Sequence, residues 1–208
     1  MDTQIAVIYY SATGNVHLLA KALAEGAAER GCEVRLRRVQ ENAPKEAIEQ
    51  NARWAEHLAR EESSEGSELA TLDDLAWADG VALGTPTRFG GPSAQLKAYL
   101  DQSGVLWAKG LLVNKVVTAF TAASTAHGGL ESTILAILNV AYHWGAIVLP
   151  LGYTEEIILK QTGNPYGSTW VSLKGSSPDE GALAAARAQG RRLADVTIAL
   201  KAGMSAER

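Results

Sequence analysis

One cysteine, Cys32, in 208 residues excludes an intrachain disulfide and any metal site built on several thiolates. No metal is expected. Basic clusters are equally scarce: Arg35, Arg37 and Arg38 form the only one before the C-terminal helix, and the net charge is −4. A nucleic-acid surface needs a Lys/Arg face that is missing here, and the three arginines, on a strand, are expected to be a solvated face. No apolar run reads as a membrane span. The longest, residues 133–153, is interrupted by Asn139, His143, Gly145 and Pro150 and reads as helix, turn and strand. Met1, Asp2, Thr3 and Gln4 carry neither the basic nor the apolar region of a signal peptide, so a cytoplasmic protein is expected. There is no internal repeat, and a chain of this length suits one core better than two.

What is present is a regular alternation. Hydrophobic residues at 47% and charged residues at 20% place the chain among ordinary globular proteins, and the apolar positions are ordered. Ile5, Ala6, Val7, Ile8 and Tyr9 make a buried strand, followed by Val16, Leu19, Ala20, Leu23 and Ala27 at helical spacing. His17, Lys21 and Glu25 fall on the opposite helix face. Residues 32–39 alternate with period two; further strands are expected at 79–84, 115–120 and 146–149, with helices between them. Ser177, Pro178, Asp179 and Glu180 read as a capping box opening a final helix with Leu183, Ala186, Leu193 and Leu200 inward. The expected architecture is a single α/β domain over 1–208, a five-stranded parallel sheet in order 2-1-3-4-5 between helical layers. Surface insertions are expected near 40–72 and 152–176, with an acidic mobile loop at 61–68.

Three loops then carry the functional argument. Ser11, Ala12, Thr13, Gly14, Asn15 and Val16 join the first strand to its helix. Unpaired amide N–H groups and a partial positive charge make such a helix start an anion site. One glycine where a dinucleotide fingerprint needs three, and no Gly-Lys-Ser/Thr, exclude the two commonest nucleotide loops. Hydroxyls and amides without a lysine suit a monophosphate bound without metal; the plain alternative is a helix cap. Pro86, Thr87, Arg88, Phe89 and Gly90 follow the third strand, where backbone groups can meet the polar edge of a flat ring. Residues 121–129, including Ala122, Ala123, Ser124, Thr125, Ala126, His127 and Gly128, follow the fourth and are small enough for a bulky ligand to approach. In an open parallel sheet ligands bind at the carboxyl ends where strand order reverses, which brings these loops together.

At these residues the chain resembles a known family. Tyr9 to Asn15, Gly84-Thr85-Pro86-Thr87-Arg88-Phe89-Gly90, Leu100 to Trp107 and Pro150-Leu151-Gly152-Tyr153 are similar to the WrbA family of flavodoxin-like, FMN-dependent NAD(P)H:quinone oxidoreductases. The resemblance implies a flavodoxin-like three-layer sandwich with the FMN phosphate on residues 11–16 and the isoalloxazine ring beside residues 86–90. It also implies that the loop from Ala122 to Gly129 closes over the flavin and ribityl. His143 matches a histidine placed beside the flavin and substrate, and is the catalytic candidate. Thr13, Phe89, Trp107 and His143 would meet the substrates. Thr13 stands where members often carry an aromatic, and Ala126-His127 replaces a stretch of Gly, Ser and Thr. Homotetramers are implied too, and the exposed aromatics expected at Trp54 and Trp107 agree with subunit contacts.

The implied reaction is reduction of a quinone by two electrons from NADH or NADPH, ping-pong through one flavin site, with the hard chemistry supplied by FMN. His143 would bond a quinone oxygen and help supply a proton; its plain alternative is a histidine packed at a helix end. The rival function is a flavodoxin-type one-electron carrier with no quinone turnover. A transcription-associated binding protein is the weaker rival, given the missing basic face.

Overall fold

The computed structural model describes residues 3–63 and 67–206. Ser64, Glu65 and Gly66, the middle of the stretch expected to be a mobile loop, lie outside the described residues. In chain order the elements are β1 (Gln4–Tyr9), α1 (Asn15–Ala28), β2 (Glu33–Arg38), α2 (Lys45–Glu49), α3 (Ala52–Glu61), β3 (Glu68–Leu69), α4 (Leu72–Trp77) and β4 (Gly80–Pro86). They continue with α5 (Ala94–Asp101), α6 (Gly104–Trp107), β5 (Val116–Ala123), α7 (Leu130–Trp144), β6 (Ile147–Val148), α8 (Glu156–Gln161), β7 (Thr169–Val171) and α9 (Glu180–Ala206).

Every strand pairing is parallel, and β1 lies between β2 and β4. The strands read as unbroken apolar runs because both faces are covered. Ile5, Val7 and Tyr9 pack with Val16, Leu19 and Leu23 of α1 and with Ala186 and Leu193 of α9. Ala6 and Ile8 point the other way, to Leu96 and Leu100 of α5 and Ile134 and Ile137 of α7. Burying each such Leu or Ile is worth about 1.5–3 kcal/mol, so these two layers carry most of the cohesion. No helix among the described residues is long and apolar enough to cross a membrane.

The expected five-stranded 2-1-3-4-5 sheet is corrected to seven strands. The order is β3-β2-β1-β4-β5-β6, with β7 also on β5. Both added strands come from the segments read as irregular. β3 has two residues and β7 three, too short for any periodicity to announce them. β6 pairs Val116 and Val117 of β5 while β7 pairs Thr121, Ala122 and Ala123, so two separate pieces of chain share one edge of β5. β7 is docked by a buried amide: Gln189 of α9 accepts from Ser168 N–H at 2.8 Å and donates to Thr118 Oγ1 at 2.7 Å and the Ala119 carbonyl at 2.9 Å. That pairing also lengthens β5, so Thr121, Ala122 and Ala123 are strand rather than loop.

Other local expectations change for electrostatic reasons. Arg35, Arg37 and Arg38 are not a free solvated face. The buried Asp74 takes Arg35 at 3.2 Å and Arg37 at 3.1 Å, and Arg38 donates to the Ser67 carbonyl at 3.0 Å. Burial raises the Asp74 pKa, but bonds from Thr71 N–H and Oγ1 and the two guanidinium charges outweigh it and hold the carboxyl below its ordinary range. His17 is turned off the solvent face toward the hydroxyl of Tyr9, 2.7 Å away. The last helix is capped by Asp179, which accepts from Ala182 N–H at 2.8 Å, so Pro178 precedes the helix instead of opening it.

Candidate functional site

At the carboxyl ends of β1, β4 and β5 the three loops converge on a cleft of roughly 550 Å³. One end is the start of α1. Ser11, Ala12, Thr13, Asn15 and Val16 line it. Gly14, at φ +96°, sits at the N-cap in a left-handed conformation that L side chains rarely adopt, and its N–H donates to Ser11 Oγ at 3.1 Å. No side chain caps the helix and its first turn carries no acid. The orphan amides and the positive end of the helix dipole are therefore left for an anion, flanked by the Ser11 and Thr13 hydroxyls.

The other end mixes apolar and polar side chains: Pro86, Thr87, Arg88 and Phe89 line it together with Ala122 and Ala123. Its backbone is closely tied. Thr87 N–H donates to the Ala122 carbonyl at 2.9 Å, Thr87 Oγ1 to the Gly128 carbonyl at 3.1 Å, and Thr133 Oγ1 to Thr87 Oγ1 at 2.8 Å. Arg88 and Gly91 exchange both backbone bonds, at 2.8 and 3.1 Å, and Ser132 Oγ holds the Gly90 carbonyl at 2.9 Å. On this rim Phe89 adopts φ 53° with its side chain fully exposed. Bulky residues rarely adopt that backbone region, and here the whole ring is offered to the outside.

Ser124, Thr125 and Gly128 complete the lining from the predicted loops. Gly14 and Gly90 do not line the cleft but shape the loops that do, and Ala126 and His127 are exposed and outside the lining. His143 and Trp107 are not brought into the cleft of their own chain. Thr133 of α7 bonds a cleft residue, whereas His143 stands about 15 Å further along that helix, at roughly 1.5 Å per residue. Trp107, on α6, is 58% exposed.

Two lining residues come from the segments outside the five central strands: Asn51, just before α3, and Ser172, just after β7. An asparagine ahead of an apolar helix is a legible N-cap, and Asn51 Oδ1 does accept from Trp54 N–H at 3.3 Å. Its place at the cleft had no signal in the sequence, nor did that of Ser172.

Behind the helix start lies a buried polar cluster that also went unseen. Glu61 lies 2.7 Å from His17 Nδ1 and accepts from the Tyr9 hydroxyl at 3.1 Å, with Arg38 at 3.8 Å. His57 stands beside Glu61 at 3.8 Å and packs on Gly14, where a Cβ would sit 3.6 Å from its ring. Burial drives the His57 pKa down to about 4 against the pull of the Glu61 charge, so the ring is neutral. Burial raises the Glu61 pKa, but the His17 bond and charge outweigh it and keep the carboxylate ionised. A second carboxylate, Glu41, receives Tyr10 at 2.7 Å, Trp54 Nε1 at 2.8 Å and Gln95 at 2.7 Å. Glu41 and Glu61 thus pin the two ends of the chain that carries α2, Asn51 and α3 to the sheet.

Comparison with known proteins gives a consistent answer. A family model described as NADPH-dependent FMN reductase matches residues 3–155. A protein of Deinococcus radiodurans named NAD(P)H dehydrogenase (quinone) is 39% identical over 197 residues, covering 95% of this chain and 96% of that one. One of the same name from Paracoccus denitrificans is 38% identical over 213 residues, covering 99% of each. Among solved structures, a flavodoxin, WrbA-like protein from Agrobacterium tumefaciens superposes with TM-score 0.65 at 26% identity, covering 95% of this chain and 98% of that one. An archaeal flavodoxin superposes with TM-score 0.61 at 15% identity, a likeness of fold alone.

Proposed function

The chain belongs to the NADPH-dependent FMN reductase family, and from that premise we propose that it is an FMN-dependent NAD(P)H:quinone oxidoreductase. The observation that carries this reading is the two-ended cleft. An uncapped helix start flanked by hydroxyls shares one cleft with the loop of Pro86, Thr87, Arg88 and Phe89 and with Ala122 and Ala123, within a volume that suits a cofactor. Bound FMN would supply the transfer of two electrons from NADH or NADPH to a quinone.

The protein's own part is binding, orientation and proton supply. The N–H groups opening α1, with Ser11 and Thr13, hold the phosphate. The hydrogen-bonded frame around Thr87 fixes Pro86 and Phe89 along the ring, and Ala122 and Ala123 leave room for it. Donor and quinone would occupy the open face in turn, ping-pong, beside Phe89 and Thr13. A homotetramer would close that face, and His143 and Trp107 would then belong to a neighbouring copy's cleft, where the imidazole could pass a proton to a quinone oxygen. Exposed Leu135 and Tyr142 on α7, with exposed Val105 and Trp107 on α6, support such a contact surface. The cytoplasm, where both nucleotides are abundant, is the expected setting.

The test is an absorbance titration with FMN followed by anaerobic addition of NADH and then benzoquinone. Bleaching by NADH and recovery with quinone turnover are expected. Flavin binding without turnover would instead favour a one-electron carrier.

A further inference from the structure

The loop over residues 11–16 meets a phosphate dianion with hydroxyls and amides alone and contains no lysine or arginine. Adjoining the cleft is a second cavity of roughly 300 Å³, bordered by Thr13, Gly14 and Asn15 of that loop together with Arg53 and Ser177. Thr13 and Asn15 line both spaces. The carboxylates of the second cavity are already engaged, Glu56 with Arg60 at 3.0 Å and Glu61 with His17 at 2.7 Å. Arg53 differs. Its Nη1 donates to the neutral Gly175 carbonyl at 2.6 Å, and among the described residues no carboxylate stands within ion-pair distance of it. A guanidinium has five donors, so one such bond leaves most of the fork available.

Arg53 is an exposed residue whose guanidinium lies against the backbone of Gly175. Gly175 has φ +80°, and a Cβ there would stand 2.0 Å from Arg53 Nη1. On the other side, α3 begins at Ala52 with no acid in its first turn, so its helix dipole adds to the positive field. Trp54 Nε1, bonded to Glu41 at 2.8 Å, keeps this turn against the sheet. The Arg53–Gly175 bond joins the chain piece that gives Asn51 to the cleft to the piece that gives Ser172.

Resting on the flavin reading, we propose that Arg53 is a further phosphate-binding residue. Latched to the Gly175 carbonyl, its guanidinium supplies the cation that residues 11–16 lack and ties two chain segments together beside the bound phosphate. FMN and riboflavin, which differ by that phosphate, separate this role from a structural one. Their affinities and dissociation rates are read from flavin fluorescence with wild type, Arg53→Gln, Arg53→Lys and Gly175→Ala, and thermal melts of each apoprotein check folding. Arg53→Gln is expected to weaken FMN binding about tenfold, mostly through faster dissociation, and to flatten its salt dependence, with riboflavin unchanged. Arg53→Lys should recover part of the loss. Gly175→Ala, which keeps the charge but displaces the guanidinium, should raise the FMN dissociation rate alone.

Unchanged FMN binding in Arg53→Gln would overturn the proposal. So would equal weakening of FMN and riboflavin, which would make the residue structural, or a rise confined to the KM for NADPH, which would assign it to the nucleotide. Wild-type protein that binds neither flavin would overturn the flavin reading and this proposal with it.

Discussion

At its helix end the cleft is finished within one chain: α1 starts at Gly14, His57 fills the space behind it, and Glu61 ties His57, His17, Tyr9 and Arg38 into one buried cluster. At its other end, around Thr87 and Phe89, the backbone is equally well bonded, yet Phe89 stands fully exposed and His143 and Trp107 lie outside the cleft of their own chain. The difference separates two jobs. Holding an anion needs donors fixed in advance, and a buried frame fixes them. On the proposed ping-pong reading, admitting two substrates in turn needs an open face, which a second copy of the proposed tetramer would close without blocking the anion end.

The hardest test of the helix end is Gly14→Val. A β-branched residue at φ +96° is strained and meets His57, so FMN affinity is expected to fall at least a hundredfold, about 2.7 kcal/mol, in a fluorescence titration. Binding within threefold of wild type would break the assignment. The buried frame behind it can be read through pH. His57 is held at about 4, below the ordinary imidazole value, so the unfolded chain binds more protons between about pH 6.5 and 4. The stability contribution of the neutral ring is present above that window and lost as pH falls through it. Urea melts should show a decline of about 2 kcal/mol from pH 7 to pH 5 that His57→Gln lacks. Below that, Asp74 and Glu61, both held below their ordinary pKa, lose their contributions as pH falls through their folded values.

The Phe89 end should respond differently. Leu135→Glu with Tyr142→Glu places charge on the exposed α7 surface and is expected to split the proposed homotetramer in light scattering. Quinone turnover is expected to drop about tenfold while FMN affinity stays within threefold, because only the open face loses its cover. Equal loss of both would merge the two ends into one unit. Phe89→Ala is the mildest change, with kcat/KM for quinone expected to fall about fivefold and FMN still bound.

Five of the strands and the three small-residue segments after them were legible because apolar runs, the alternation of β2 and period-3.6 helices survive wherever an element packs on the sheet, although Thr121, Ala122 and Ala123 proved to be strand. The short strands β3 and β7 were not: the equally short β6 lies in the apolar run 146–149, whereas these two stand among polar and small residues with no run to mark them. Asn51 had a visible local role as a cap, but its place at the cleft depends on Glu41 receiving Tyr10 and Trp54 from distant parts of the chain. The arginines of β2 looked solvated because their partner, Asp74, is on another element.

By itself, then, the sequence determined the alternating strands and helices, the parallel sheet they imply, and the small-residue turn at Ser11 to Val16 that opens α1, since each follows from residues near one another in the chain. Only the tertiary structure decided which side chains complete the site: Asn51 and Ser172 at the cleft, Arg53 beside it, His143 and Trp107 outside it. Those placements rest on contacts between residues far apart in the chain, such as Arg53 with Gly175, and a carbonyl or a carboxylate that receives such a bond leaves no periodic trace where its donor stands.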